Sequence, residues 1–396
     1  MRFSTLQKTF SKTFSKTMLK ATRLTTSAKL MDATRLIQRT LATTLPTSTQ
    51  SVADRPNTRS AADTTIYTPP PTARGFILVP EKSPDIGNAE ATPTTNAEAI
   101  TAGKSSFTAH QFEFEGNVYP YRLYVPSVPE AATGPAAKLP LVVMLHGCKQ
   151  DALDFSHGTA MNRLAETQRA MVLYPEQVAS GNAMRCWNWF DPGHQQAGRG
   201  EPGMIAALVQ KMVAQHNADP ARTYIAGLSA GGAMAAVVAN LYPHLFAAVG
   251  VHSGLAAGSA KNMIQALSAM KKGTKGGSIK AIPTIVFHGT GDQTVNPNNG
   301  KYITQAALAG FEAQGVALVK SDSVISSSSG KNQPTERTQY SNAAGKPLVE
   351  SWHITAGPHA WSGGSAQGSY TDPNGPDASA AMLEFFLQHS KGEAAR

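Results

Sequence analysis

Apolar positions along this 396-residue chain switch between two periods. In "LPLVVMLHG" and "AMVLYPE" they run almost unbroken, which predicts strands buried on both faces. "RTYIAGLS", "FAAVGVHSG", "IPTIVFHGTGD" and "VESWHITAG" read the same way. Between them, "GMIAALVQKMVAQHN", "AGGAMAAVVANLYP", "GKYITQAALAGFEAQ" and "ASAAMLEFFLQHS" carry helical spacing. "HQFEFEGNVYPYRLYVP" alternates about a Gly-Asn pair and predicts an antiparallel hairpin. Short apolar strands alternating with helices predict an α/β fold, with a mostly parallel central sheet covered by helices on both faces.

This pattern occupies residues 107–393, the expected folded domain. Residues 45–106 are rich in Pro, Thr, Ala and Ser, as in "YTPPPTARG", and read as a flexible linker. Residues 1–44 differ again. Phe10, Phe14 and Met18 recur every fourth residue, with Lys8, Lys12, Lys16 and Lys20 out of phase. On a helix the apolar groups and the lysines fall on opposite sides. A second piece puts Leu30, Ala33, Ile37 and Leu41 on one face, with Arg35 and Arg39 off it. A transit peptide fits the composition, a surface-binding amphipathic segment fits the periodicity, and a disordered basic tail is the plainer alternative. The apolar core of about 7–15 residues that a secretory signal needs is not seen.

Charge sharpens this division. The net charge is +9. Residues 1–60 hold 11 Lys/Arg and 2 Asp/Glu, and the remainder holds 24 of each, so the surplus belongs to the extension. The main domain is therefore not expected to bind nucleic acid. The longest apolar runs fall short of the ~20 residues a spanning helix needs, so no transmembrane span is expected. Two cysteines, Cys148 and Cys186, can pair or stay free; a Cys₄ metal site is excluded.

The candidate chemistry centres on Gly227-Leu228-Ser229-Ala230-Gly231, a G-x-S-x-G pentapeptide between a strand and a helix. A serine at that sharp turn projects above the sheet, with a helix N-terminus beneath it to favour developing negative charge. The plainer reading is a tight small-residue turn. A serine nucleophile needs a base and an orienting acid, which in this fold class follow in the order acid, then His. Asp292 lies just past the buried strand of "IVFHGTGDQTV"; Asp322, Asp372 and Asp377 follow no apolar strand so directly. His359, in "GPHAWSGG", follows the last strand, whereas His252 and His288 come too early and read as structural. The oxyanion hole is expected from the N–H groups of Ala230 and Cys148, the latter in "LHGCKQ" with Gly147 giving room and His146 orienting the loop. Trp187, Trp189 and Phe190 either line an acyl pocket or pack the domain, and Trp361 is a candidate substrate contact.

Together "LPLVVMLHGCKQ", "CWNWFDP", "GEPGMIAALV", "YIAGLSAGGAMAAVVANLYPHLFAAVGVHSG", "FHGTGDQTVNP" and "GPHAWSGG" resemble the polyhydroxybutyrate depolymerase family of esterases. The resemblance covers roughly residues 107–390. It implies an α/β-hydrolase fold without metal or cofactor, acting on poly(3-hydroxybutyrate) through Ser229, Asp292 and His359, with an oxyanion segment at His146-Gly147-Cys148. Feruloyl and acetyl-xylan esterases are similar in fold and elbow, and stand as the alternative; a non-catalytic granule-binding protein is a remoter one. The basic extension resembles the N-termini of intracellular members, which implies a cytoplasmic, granule-associated enzyme held by residues 1–44 on a polyester granule surface. An extracellular or periplasmic location is the alternative.

Overall fold

A computed structural model of the protein describes residues 103–128, 138–277, 279–325 and 333–392. The amphipathic segment expected at 1–44, and the linker expected from 45 as far as residue 102, lie outside the described residues. The first strand begins at Ser106.

Ten strands form one sheet in the order β1-β2-β4-β3-β5-β6-β7-β10-β9-β8. Its centre is parallel: β4 (Met171–Pro175), β3 (Leu139–Leu145), β5 (Ala218–Leu228), β6 (Ala248–His252), β7 (Thr284–Gly289) and β10 (Pro347–Ile354). β3, β4, β6 and β7 are buried along their whole length, as their unbroken apolar runs require. The hairpin of β1 (Ser106–Phe114) and β2 (Asn117–Val125) lies antiparallel along one edge. Its turn is Glu115-Gly116, one residue earlier than the Gly-Asn pair suggests. Both residues have positive φ, 48° and 74°, the handedness that matches strand twist.

The opposite edge was not legible as strands. β8 (Val319–Ile325) and β9 (Thr335–Ser341) pair antiparallel with each other, and β9 pairs with β10. Their sequences, VKSDSVI and TERTQYS, are polar because one edge strand needs little burial. A two-stranded ribbon of β11 (Trp361–Ser362) and β12 (Thr371–Asp372) follows β10.

Helices cover both faces. α3 (Gly200–Gln215), α4 (Ala230–Leu241), α5 (Met263–Lys272) and α6 (Asn298–Glu312) contribute to the core on one side. α1 (Ala152–Thr159), α2 (Met161–Gln168) and α7 (Ala378–Leu387) contribute to the core on the other. β3 shows the logic: Leu141, Val143 and Leu145 enter the first core, Val142 and Met144 the second. No helix among the described residues is long and apolar enough to cross a membrane.

Candidate active site

The elements that carry the site all end at the carboxyl edge of the parallel strands. Ser229 follows β5, Asp292 follows β7, His359 follows β10, and His146-Gly147-Cys148 follows β3. Loops at this edge are where ligands meet an α/β sheet.

Ser229 sits at φ 58°, ψ −119°, a region that a non-glycine residue enters only when its surroundings force it. The forcing is visible. Its N–H donates to the carbonyl of His252 on the next strand at 2.9 Å, and its carbonyl accepts from Ala233 at 2.9 Å as α4 begins. A methyl on Gly231 would overlap the carbonyl oxygen of Leu145, and one on Gly227 would overlap Gly231. The glycines thus allow strand and helix to meet closely enough to hold the serine in that strained turn.

The Ser229 hydroxyl lies 2.9 Å from His359 Nε2, and His359 Nδ1 lies 2.7 Å from Asp292 Oδ2. A carboxylate only accepts, so Nδ1 carries the proton and Nε2 is left to receive the serine's. The Asp292 side chain is fully buried, and burial alone would raise its pKa. Hydrogen bonds from His288 and His359, and the N–H of Val295 at 2.8 Å on Oδ1, outweigh this and hold it well below the usual carboxylate range. A hydroxyl so placed can pass its proton to the imidazole, while the anion orients the ring and stabilises its charged form.

Two neighbouring histidines, His252 and His146, are held neutral by burial. His252 is stacked between Phe287 and Trp361, accepts from the Ser362 N–H at 3.0 Å, and is pushed down to about 3 by burial. His288 directs Nε2 at the Val295 carbonyl (2.9 Å) and at Asp292 (3.3 Å). His146 is fully buried and pushed down to about 4; its Nε2 accepts from the Gln177 N–H at 3.0 Å, and its Nδ1 lies 2.8 Å from the Gly147 carbonyl.

In the loop after β3, three backbone N–H groups are committed. Gly147 N–H donates to Gln150 Oε1 at 2.9 Å, Lys149 N–H to Met184 at 2.7 Å, and Gln150 N–H to Gly147 at 3.3 Å. Cys148 N–H has no acceptor among the described residues. The Ala230 N–H opens α4, where the first N–H groups have no acceptor within the helix. Cys148 and Cys186, left open by the sequence, are joined by a disulfide, with a Cα–Cα distance of 4.2 Å.

The tryptophans require a correction. Trp361 is 1% exposed, stacks on His252, meets Phe155 edge-on and donates to the Ser379 hydroxyl at 3.0 Å. It is a core residue and offers no surface to a substrate. Trp187 and Trp189 also lie in the core, Trp189 edge-on to Phe190. Both therefore pack the domain rather than line a pocket. The indole N–H of Trp187 is buried and has no partner among the described residues. Of the alternative acids, Asp322 pairs with Lys320 on the exposed edge and Asp377 caps α7. Asp372 lies in the small ribbon and accepts from the Asn374 N–H.

Sequence reasoning missed the polar residues behind the loop. Gln150 bonds Asp154 and Ser369, and Gln177 bonds Glu201. The only local signal was an acid at a helix start, in "GEPGM", which reads as an ordinary dipole partner.

A large, centrally parallel sheet with a serine elbow, a histidine and an aspartate at successive strand ends defines the α/β-hydrolase class. The structure resembles an acetyl xylan esterase from Aspergillus awamori, with a TM-score of 0.53 at 21% identity over 71% of this chain and 99% of that one. A family model described as Esterase PHB depolymerase matches residues 119–316, and the chain belongs to that family. Poly(3-hydroxyalkanoate) depolymerase C of Paucimonas lemoignei is 32% identical over 259 residues, covering 62% of this chain and 58% of that protein. Poly(3-hydroxybutyrate) depolymerase of Ralstonia pickettii is 25% identical over 74% of this chain and 63% of its own length. Acetylxylan esterase A of Talaromyces purpureogenus is 30% identical over 45% of this chain and 50% of its own. The chain thus spans about three-fifths of the length of the depolymerases it matches.

Proposed function

We propose that this chain is a carboxylic ester hydrolase that cleaves short-chain polyesters of the poly(3-hydroxybutyrate) type through an acyl-enzyme on Ser229. The observation that carries the reading is the continuous hydrogen-bond line Ser229–His359–Asp292, at 2.9 and 2.7 Å. As Ser229 Oγ attacks the ester carbonyl, His359 Nε2 takes its proton. The Ala230 and Cys148 N–H groups meet the oxyanion. The imidazolium then protonates the departing alkoxide, the C–O bond breaks, and a hydroxyl-ended polymer leaves. Water, deprotonated by the same nitrogen, cleaves the acyl-enzyme and releases a hydroxyacid or short oligomer. Asp292 stays ionised throughout.

The depolymerase relatives support the polyester substrate. The acetylxylan esterases support a second reading, the same machinery on a cell-wall ester. The experiment is release of 3-hydroxybutyrate from amorphous granules and from film, beside acetate release from acetylated xylan, with Ser229→Ala as control. The polyester reading expects hydroxyacid release that Ser229→Ala lowers by about 10⁴-fold or more. Acetate release alone would move the substrate to xylan, and full activity in Ser229→Ala would remove the nucleophile.

The place of action follows from separate features. The basic extension supports granule attachment in the cytoplasm, with a polyester granule as partner. The Cys148–Cys186 bridge supports the extracellular or periplasmic alternative, because disulfides persist in oxidising compartments. Thiol labelling of both cysteines in freshly lysed cells separates the two: label on both favours the cytoplasm, protection favours export.

A further inference from the structure

Glu201 is an acid buried to 2% exposure in the first turn of α3, and the reaction above does not use it. Every polar contact at its carboxylate is a donor. Oε2 accepts from the Asn188 N–H at 2.7 Å; Oε1 accepts from Asn188 Nδ2 at 2.6 Å and Gln177 Nε2 at 2.5 Å. His194 Nδ1 stands 3.9 Å away and is already occupied by the Glu201 N–H. Burial pushes the carboxyl up, but three donors and the positive end of α3 favour the anion, and no facing group needs a proton from it.

What these donors do next is the informative part. Gln177 Nε2 also donates to the Cys186 carbonyl at 3.1 Å, and the Gln177 N–H donates to His146. Asn188 Oδ1 accepts from Asn182 Nδ2 at 2.9 Å, and Asn182 Oδ1 accepts from the Cys186 N–H at 3.3 Å. Both polar groups of the Cys186 backbone are therefore traced back to one carboxylate. Cys186 is joined through sulfur to Cys148. His146, the other end of the same loop, is reached through Gln177. Two independent routes from Glu201 converge on the segment that carries the Cys148 N–H, for which there is no acceptor among the described residues.

We propose that Glu201 is the positioning residue that sets the Cys148 N–H as an oxyanion donor. The inference rests on the esterase reading and deepens it. Glu201→Gln keeps the volume but turns an NH₂ toward a donor, so at least one of the three bonds is lost. With a p-nitrophenyl ester, kcat per titrated active site is expected to fall at least tenfold, with KM changed less than twofold. Affinity for a trifluoromethyl ketone, which forms a tetrahedral oxyanion on the serine, falls by a similar factor.

A purely structural role would instead lower the melting temperature or the titratable fraction, and leave kcat per site intact. If Glu201→Gln does not fold, Asn188→Ala, which cuts one route and spares the carboxylate, decides by the same criterion with an expected loss of about threefold or more. Folded variants with kcat and inhibitor affinity within twofold of the parent would overturn the proposal. Ser229→Ala runs alongside. Full activity there sinks the esterase reading itself, whereas an inactive Ser229→Ala beside a fully active Glu201→Gln sinks only this inference.

Discussion

Asp292 is where single side chains decide most. Its Oδ1 is committed to the N–H groups of Thr294 and Val295, and its Oδ2 to His359 and His288. Asp292→Asn preserves the shape but offers one oxygen where two accept. The amide must either give up the backbone or present NH₂ to His359 and favour the wrong ring tautomer. A fall in kcat of about 10³–10⁴-fold, with KM little changed, is the expected outcome. Steady-state kinetics on a soluble ester check it, and a loss below tenfold would mean the acid has another partner. At this scale much was legible. Ser229, Asp292 and His359 stand out because each sits just past a buried strand, a local pattern. Glu201, Gln177 and Gln150 do not, because most of their partners come from helices and loops distant in the chain. Trp361 misled for the converse reason: closeness to His359 in sequence says nothing about which way a ring points.

Among elements, the segment from Cys148 to Cys186 holds α1, α2 and β4. α1 and α2 were missed in the sequence because each has only eight residues, and Ala160, at φ 51°, joins them where a glycine would have announced a break. Asp151, which caps α1 by accepting from the Asp154 N–H, was the readable signal. β8 was missed because an edge strand needs no apolar alternation, and β9, paired between β8 and β10, because its sequence TERTQYS is polar too. The bridge across α1, α2 and β4 spans 38 residues, so replacing both cysteines by serine should cost about 4 kcal/mol. Chemical denaturation measures this. Activity should fall further than stability explains, because Cys148 loses its tether to Cys186. An unchanged denaturation midpoint would show that β4 and its neighbours already confine the loop.

For the whole molecule, acid is the revealing variable. His146 is neutral in the fold chiefly through burial, with Arg185 adding to the effect and Gly147, Asp151 and Asp154 opposing it. His252 is neutral through burial, with His288 and His359 adding to it and Asp292 opposing. Both folded values, about 4 and about 3, lie below the ~6.5 of an exposed histidine. Protons therefore bind the unfolded chain first. The stability these rings contribute is complete above pH 6.5 and is lost as pH falls from there toward 4 and 3. At pH 5 the loss is about 2 kcal/mol for each ring. Asp292, held low, loses its share as pH falls through the usual carboxylate range toward its depressed folded value. A melting scan from pH 7 to pH 5 should drop by several degrees, while a flat profile would mean that the rings take up protons without unfolding. That the main domain is balanced in charge was readable from composition; that two of its histidines are buried and held neutral was not, because burial is a property of the finished fold.

The 38-residue bridge also changes what damage looks like. A protease that cuts once between Cys148 and Cys186 severs the backbone but frees no piece, since the sulfurs still tie the halves on either side of α1, α2 and β4. Such a nicked molecule migrates as intact on a non-reducing gel and falls into two bands only when thiol is added. A cut outside those cysteines separates at once. Electrophoresis run both ways therefore maps where the chain was opened.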